Sequence, residues 1–460
     1  MKKRVTKRIL CMLVAAVLAA GLFTGCGGGN EGARNSQETT QGEGQQKPEE
    51  NAPGTGEVKG KIVEWNWNQL MLDNLKKIVN EKYPEIEYEG VIVAHADYMQ
   101  KLQSSLAAGT DVPDILLGES AFRGKLFALD INDSLEDAPY NLDRSGLIET
   151  VIPAFTGISG KIVGLDQQFC PAGFAYRRDL MKEYFGIEEP EEVAELIKDW
   201  DSFTAAGKTL QQKSGGKVFM MASIQDLLDT IKGQMAQEYI NGKEIDATKR
   251  FSEVFNLATQ IRDAGVPLGK FEKGTPAWNA TYSQGNVLFY NLASWAAKTY
   301  IAGNDKDNGK GRWGLVKSPG ENGFTLGGTA VGIYKNSKNK DAAWAYLNYI
   351  YNTKEGAGEM YKNMGYIYSF KAFYEGDDAP IKQPGFYDEY FKGQNIGQYY
   401  YEVISPTIKT ETQTTYQSAV EQSYSTIIPL FLKDEKLGAQ QAMEKFKEEL
   451  KLKAPDATIK

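Results

Sequence analysis

The chain is poor in residues that bind metal or crosslink: one histidine and three cysteines in 460 residues. A single histidine cannot build a His-rich zinc site, a two-His iron site or a paired-His relay. His95 lies in VIVAHADY, at the end of an alternating run and just before a helix signal, and reads as a structural or incidental residue. Cys11 sits inside the N-terminal apolar run and Cys26 ends it, so Cys170 is alone in the body and no internal disulfide framework is possible. Phe169 and Pro171 beside it supply neither a base nor a positive charge, which is the setting of a small hydrophobe rather than a nucleophile. No metal and no cofactor are expected.

Positive charge is also scarce. Lys plus Arg number 52 against 60 Asp plus Glu. Five basic and no acidic residues fall in the first 25, leaving the remainder at −13. An acidic body lacks the basic face that nucleic-acid binding needs. Apart from Ile9–Phe23, no apolar run approaches 18 residues, so the body makes no pore. Phosphate and catalytic signatures are missing too. LGGTAVG at 326–332 and GISGKIVG at 157–164 fit neither GxGxxG nor GxxxxGK[ST] and read as tight turns around strands. EEPEEVAEL at 188–196 is a solvated helix entry rather than a catalytic dyad, and nothing matches GxSxG or HExxH.

The length is about three times an ordinary ~150-residue domain, which points to two domains or one two-lobed unit. Hydrophobic residues at 42% and charged residues at 24% are those of a chain that folds. At the N-terminus, Lys2, Lys3, Arg4, Lys7 and Arg8 precede an uncharged run of 15 residues, Ile9–Phe23. That run is too short to span a ~30 Å hydrocarbon core comfortably at ~1.5 Å per residue. It ends Leu22-Phe23-Thr24-Gly25-Cys26-Gly27, which resembles a bacterial lipoprotein signal, departing from it at Phe23 where such signals prefer Leu. The resemblance implies a signal peptide over 1–25 and lipidation of Cys26, whose two acyl chains suffice for stable anchoring. Residues 26–57 are rich in Gly, Gln, Glu, Asn, Thr and Pro, and form a flexible tether.

The body alternates strand and helix patterns. Lys61–Trp65 reads as a strand, and Asn68 precedes a helix with Leu72, Leu75, Ile78 and Val79 on one face, stopped by Pro84. Ile86, Tyr88, Val91 and Val93 give a second strand. Asp97 and Gln100 make a capping-box pair for a helix ending at Gly109, and Pro113–Leu117 is a third strand. Further strands are expected at 160–165, 173–177, 286–291 and 327–333, with helices around 179–186, 200–213, 341–353 (burying Ala343, Trp344, Leu347 and Ile350) and near the C-terminus. The order is that of an α/β fold with a largely parallel sheet.

Several blocks then fall in sequence: Asp114-Ile115, Leu126–Asp130, Gly164-Leu165, Tyr176–Leu180, Asp199–Phe203, Gln284–Trp295, Gly327-Gly328, Ile333–Lys338 and Asp341–Trp344. Together they resemble the family-1 extracellular solute-binding proteins, the sugar-binding lipoproteins of ABC importers, distantly like maltose-binding protein. The resemblance covers roughly 58–365. It implies a two-lobed periplasmic-binding-protein-like α/β fold of type II, with a hinge and a ligand cleft between lobes. Carried onto this chain, lobe 1 is 58–165 plus 325–362, lobe 2 is 166–324 with the hinge crossings, and 363–460 supplies C-terminal helices mostly to lobe 2.

The same resemblance implies the site. Trp295, in the Gly…Ser-Trp block just past a strand end, matches a sugar-facing Trp, with a core Trp as the alternative. Trp67, Asn68 and Gln69 stand where the first strand meets its helix. Glu119, Ser120 and Arg123 follow the third strand, and Gln167 and Gln168 lie at the hinge approach. Trp278 either stacks on ligand or packs. Gly327 and Gly328 either let backbone approach ligand or form a hinge turn. The stock of 7 Trp, 25 Tyr and 20 Phe is ample for stacking on sugar C–H faces. The implied function is capture of a carbohydrate, an oligosaccharide first, for a permease pair driven by a cytoplasmic ATPase. The implied protein is a monomeric non-enzyme held by its lipid outside the cytoplasm, on the outer face of a Gram-positive cell. Alternatives are a non-sugar ligand such as a peptide or polyamine, a surface glycosidase with two carboxylates flanking the bond, or an adhesive surface protein.

Overall fold

The computed structural model describes residues 58–385 and 388–460. The expected signal peptide, Cys26 and tether lie outside the described residues. β1 (Gly60–Asn66), α1 (Gln69–Lys82), β2 (Ile86–Ile92), α2 (Tyr98–Ala108), β3 (Ile115–Glu119), α3 (Arg123–Phe127) and β4 (Leu165–Asp166) build the first half of the body. Asn68 caps α1 by accepting the Met71 N–H at 3.1 Å. Leu72, Leu75, Ile78 and Val79 are all buried, as their spacing predicts, each contributing about 1.5–3 kcal/mol of transfer free energy.

The chain then crosses into β5 (Pro171–Arg177), α4 (Arg178–Phe185), α5 (Pro190–Leu196), α6 (Trp200–Ser214), β6 (Phe219–Met221), α7 (Ile224–Gln234), β7 (Ile240–Asn241), β8 (Glu244–Ile245), α8 (Ala247–Asp263), α9 (Pro276–Gln284), β9 (Val287–Ala293), β10 (Trp313–Val316) and β11 (Phe324–Thr325). It returns as β12 (Thr329–Ile333), α10 (Lys340–Asn352) and α11 (Lys354–Met364), and finishes with α12 (Gln417–Lys433), α13 (Ala439–Lys453) and β13 (Thr458–Ile459).

Two five-stranded sheets result. The first has the order β2-β1-β3-β12-β4, and the second has β10-β5-β9-β6 with β11 also on β5. β13, β8 and β7 form a small third sheet. The sheets are mixed rather than largely parallel: β1 runs parallel to β2 and β3, but β12 is antiparallel to both β3 and β4. β12 enters from the other half and not through a helix crossover, so nothing requires it to run parallel. β5 and β9 are buried on both faces. Phe174 and Tyr176 join the core that holds the C-terminal helices, while Ala175 between them joins the core under the first sheet. α10 packs on β1, β4 and β12, whereas α12 and α13 pack on α7 and α8.

Three local expectations fail. Asp97 makes no capping bond, because its backbone is already helical within a 3₁₀ turn at His95–Asp97, and a cap needs an extended residue. Residues 160–165 are mostly turn, with only Leu165–Asp166 paired as strand and Gly157 N–H bonded to the Lys161 carbonyl. Trp344 is only partly buried and lies 5.3 Å from the Tyr140 ring. Among the described residues no helix is long and apolar enough to cross a membrane.

Candidate functional site

Two crossings bring the sheets together. The first runs from Asp166 to Pro171, the second from Thr325 to Thr329. They are sewn to each other: Gln167 N–H donates to the Thr329 carbonyl at 2.9 Å, and Leu326 N–H to the Cys170 carbonyl at 3.1 Å. The second crossing needs glycine, since Gly327 and Gly328 have φ of 78° and 111°, backbone that side-chain-bearing residues avoid. The turn aims the Gly328 carbonyl at β3. That oxygen accepts the Ser120 N–H at 3.0 Å and Arg123 Nη2 at 2.6 Å. Arg123 also gives Nε to the Gly118 carbonyl at 3.0 Å and lies 5.6 Å from the Phe155 ring. A buried guanidinium held this way fixes the end of β3 against the turn.

A cavity of about 470 Å³ opens between the two halves at this point, within the range of small-molecule pockets. Ser120, Arg123, Phe155 and Asp166 line one side. Gln225, Asp229, Lys232, Lys273 and Tyr424 line the other, with Gly327 and Gly328 between. The second wall carries three ion pairs: Lys273–Asp229 at 3.1 Å, Lys232–Glu421 at 2.6 Å and Arg250–Glu411 at 2.6 Å.

Burial raises the Asp166 carboxyl well above its ordinary value, with Arg123 pulling the other way. Burial also raises the Cys170 thiol, which keeps it protonated and unreactive. Glu119 is pushed up by burial, but bonds from His95, Ser120 and the Ala121 N–H outweigh that and hold it below the usual carboxylate value. On the opposite wall burial would lower the Lys273 ammonium, and Asp229 and Asp226 outweigh it, leaving it raised. Among the described residues no group of three or more His, Cys, Asp or Glu is placed to hold a metal.

Of the residues picked out in the sequence, Ser120, Arg123, Gly327 and Gly328 line this cavity. Glu119 stands next to it, 3.3 Å from His95 Nε2. Trp295 is partly buried behind Gly327 and gives its indole N–H to the Leu326 carbonyl. Trp67 is partly buried against His95 and Phe122, ring centroids 4.9 and 6.3 Å away. The Asn68 oxygen is engaged in capping, and Gln69 is exposed and bonded to Asp73. Gln167 is buried within the first crossing, and the Gln168 carbonyl accepts the Cys170 thiol at 3.3 Å. Trp278 does not line the cavity. It is 2% exposed, packed edge-on against Tyr282 and Tyr300.

The second wall was missed. Gln225, Asp229 and Lys232 recur at i, i+4 and i+7 on α7, opposite buried Leu227, Leu228 and Ile231. The polar stripe of an amphipathic helix reads as solvated unless another lobe is known to face it.

The comparisons with known proteins agree with this architecture. Residues 75–386 match the model of the bacterial extracellular solute-binding protein family. The chain is 26% identical over 359 residues to the lactose-binding protein of Rhizobium radiobacter, covering 75% of this chain and 82% of that one. It is 24% identical over 376 residues to the arabinooligosaccharide-binding protein of Bacillus subtilis, covering 78% and 80%. The fold is similar to that of the galacto-N-biose/lacto-N-biose I-binding protein of a Bifidobacterium longum ABC transporter, with a TM-score of 0.67 and 17% identity over 87% of this chain and 97% of that one. A two-lobed α/β body joined by sewn crossings, with a cavity where they meet, together with the family match over most of its length, makes this chain a member of the bacterial extracellular solute-binding proteins.

Proposed function

We propose that the chain is the substrate-binding lipoprotein of an ABC importer, a non-enzyme that captures a carbohydrate and hands it to a membrane permease powered by a cytoplasmic ATPase. The observation that carries this reading is the cavity between the two halves, lined by polar and apolar groups alike, in a chain whose relatives include proteins named for lactose and arabinooligosaccharide. Donors and acceptors from Ser120, Arg123, Gln225, Asp229 and Lys273 share its walls with apolar groups such as Val151, Phe169 and Leu326. The polar groups bind ring hydroxyls in pairs. Trp295, Trp67 and Glu119 extend the site toward its rim in this reading. Family membership sets the protein outside the cytoplasm. Cys26 holds it to the cell membrane through lipid, on the outer face of a Gram-positive cell, and the protein works as a monomer.

A thermal-shift screen against mono- and oligosaccharides tests the reading. A ligand present at 100 times its Kd stabilises the fold by about 2.7 kcal/mol, which is readily seen. A flat response across neutral, acidic and amino sugars, beside a clear shift with a peptide or polyamine, sinks the carbohydrate reading.

A further inference from the structure

We propose that Asp229 and Lys273 form the polar anchor of the cleft and read a vicinal diol on a neutral sugar. The inference rests on the carbohydrate reading and names what recognises the sugar. Both residues line the cavity, and their side chains are 23% and 28% exposed, open enough to touch a ligand and buried enough to be fixed. Lys273 Nζ lies 3.1 Å from Asp229 Oδ2. The pair is held from two directions. Asp229 stands on α7, and one turn earlier on the same face Gln225 Oε1 accepts the Lys273 backbone N–H at 3.0 Å. Lys273 is thereby tied to the helix that carries its partner.

The chemistry follows from the two groups. An ammonium only donates and a carboxylate only accepts. Side by side they present one donor and one acceptor to adjacent oxygens of a ring, one of which gives its O–H while the other receives. The neighbouring pairs differ in role. Lys232 is engaged with Glu421 on α12 and lies 4.7 Å from the Tyr424 ring centroid, and Arg250 is engaged with Glu411. These pairs brace the wall. Each of the three pairs is neutral in itself, so a charged sugar binding at one of them would have to displace an existing partner, which disfavours it. Lys409, which also lines the cavity, stands outside the three pairs.

The experiment is isothermal titration of the full chain with lactose and with arabinotriose, repeated on Asp229→Asn, Lys273→Met and the double variant, beside a melt of each unliganded protein. Either single change should weaken binding of the accepted probe at least 10-fold. The double variant should lose little more than the singles, because the two groups act as a unit. Unliganded melting should move little for Asp229→Asn and the double variant. Lys273→Met alone also takes a cation from beside buried Asp226 and should melt somewhat lower, so its affinity is read at a temperature where it is fully folded. A ligand-side series needs no variant to fold. Derivatives of the accepted probe, each O-methylated at one hydroxyl, should show an adjacent pair of positions where the parent loses 10-fold or more. If the parent binds but Kd stays within twofold in both single variants, or every O-methyl derivative is tolerated, the anchor is wrong and the carbohydrate reading stands. If a uronate analogue binds more tightly than its neutral parent sugar, the neutrality argument falls. If the parent binds no sugar in the panel, the carbohydrate reading itself fails and takes this inference with it.

Discussion

The Trp295 indole N–H donates to the Leu326 carbonyl at 3.1 Å, and Leu326 N–H donates in turn to the Cys170 carbonyl. The ring therefore braces the second crossing from behind while remaining partly exposed. Trp295→Phe keeps a ring but removes the donor, and should cost about 1 kcal/mol of stability. Trp295→Ala should weaken sugar binding by about 2 kcal/mol or more, roughly 30-fold in Kd, with Phe recovering part of the loss. Calorimetric titration beside a melt separates the roles: an unchanged Kd with a collapsed melting point puts Trp295 in the core.

Gly124 on α3 touches the segment leading into α12. A Cβ built there runs into the Thr414 carbonyl, which is backbone and cannot swing aside. Gly124→Ala should therefore force α3 and the start of α12 apart and destabilise the fold by about 1–3 kcal/mol, as overpacking does. Gly146→Ala, where the added methyl meets open space, is the control and should be near neutral. Equal melting points for the two variants would show that the contact yields more easily than its geometry implies.

Much of the first half of the fold was legible because its signals are local. Asn68, the 72/75/78/79 stripe and Gly109 each specify one end or face of a helix without help from distant residues. The glycine pair 327–328 was legible as a turn, but its function in aiming a carbonyl at Arg123 depends on β12 lying beside β3, more than 200 residues away in sequence. Trp278 and Trp295 look alike in sequence, both close to strand β9, and only tertiary packing sends one into the core. The α7 wall was invisible for the same reason. Gln225, Asp229 and Lys232 become cleft residues only when Arg123 and Phe155 of the other half face them.

The lipoprotein reading has its own test. Cys26→Ala should move the protein from the membrane fraction to the soluble extracellular fraction, with ligand affinity and melting point unchanged. Unaltered membrane retention in a cell-fractionation blot would mean that something other than a Cys26 lipid holds the chain.

Asp226 supplies a pH dependence whose sign can be worked out. It is 1% exposed, beside Lys273, Asp229 and the Trp278 indole. Burial is the largest influence and raises the carboxyl, Lys273 opposes it, Asp229 adds to it, and the net position is about 6 against an ordinary 3.8. The folded chain thus holds this proton more tightly than the unfolded chain does. Stability from the group is fully present below the ordinary value, falls as pH rises from about 4 to about 6, and is lost above that, where the fold carries a buried charge. Glu64, Asp166 and Glu411 are also raised by burial, so the parent's own profile mixes several groups. The difference between parent and Asp226→Asn isolates this one, because Asn keeps the shape and cannot ionise. Relative to the parent, the Asn variant should gain on going from pH 4 to pH 7, by on the order of 2–3 kcal/mol at most. Urea melts of both proteins at pH 4, 5.5 and 7 measure that difference. A gap that does not change with pH would move the titration away from Asp226.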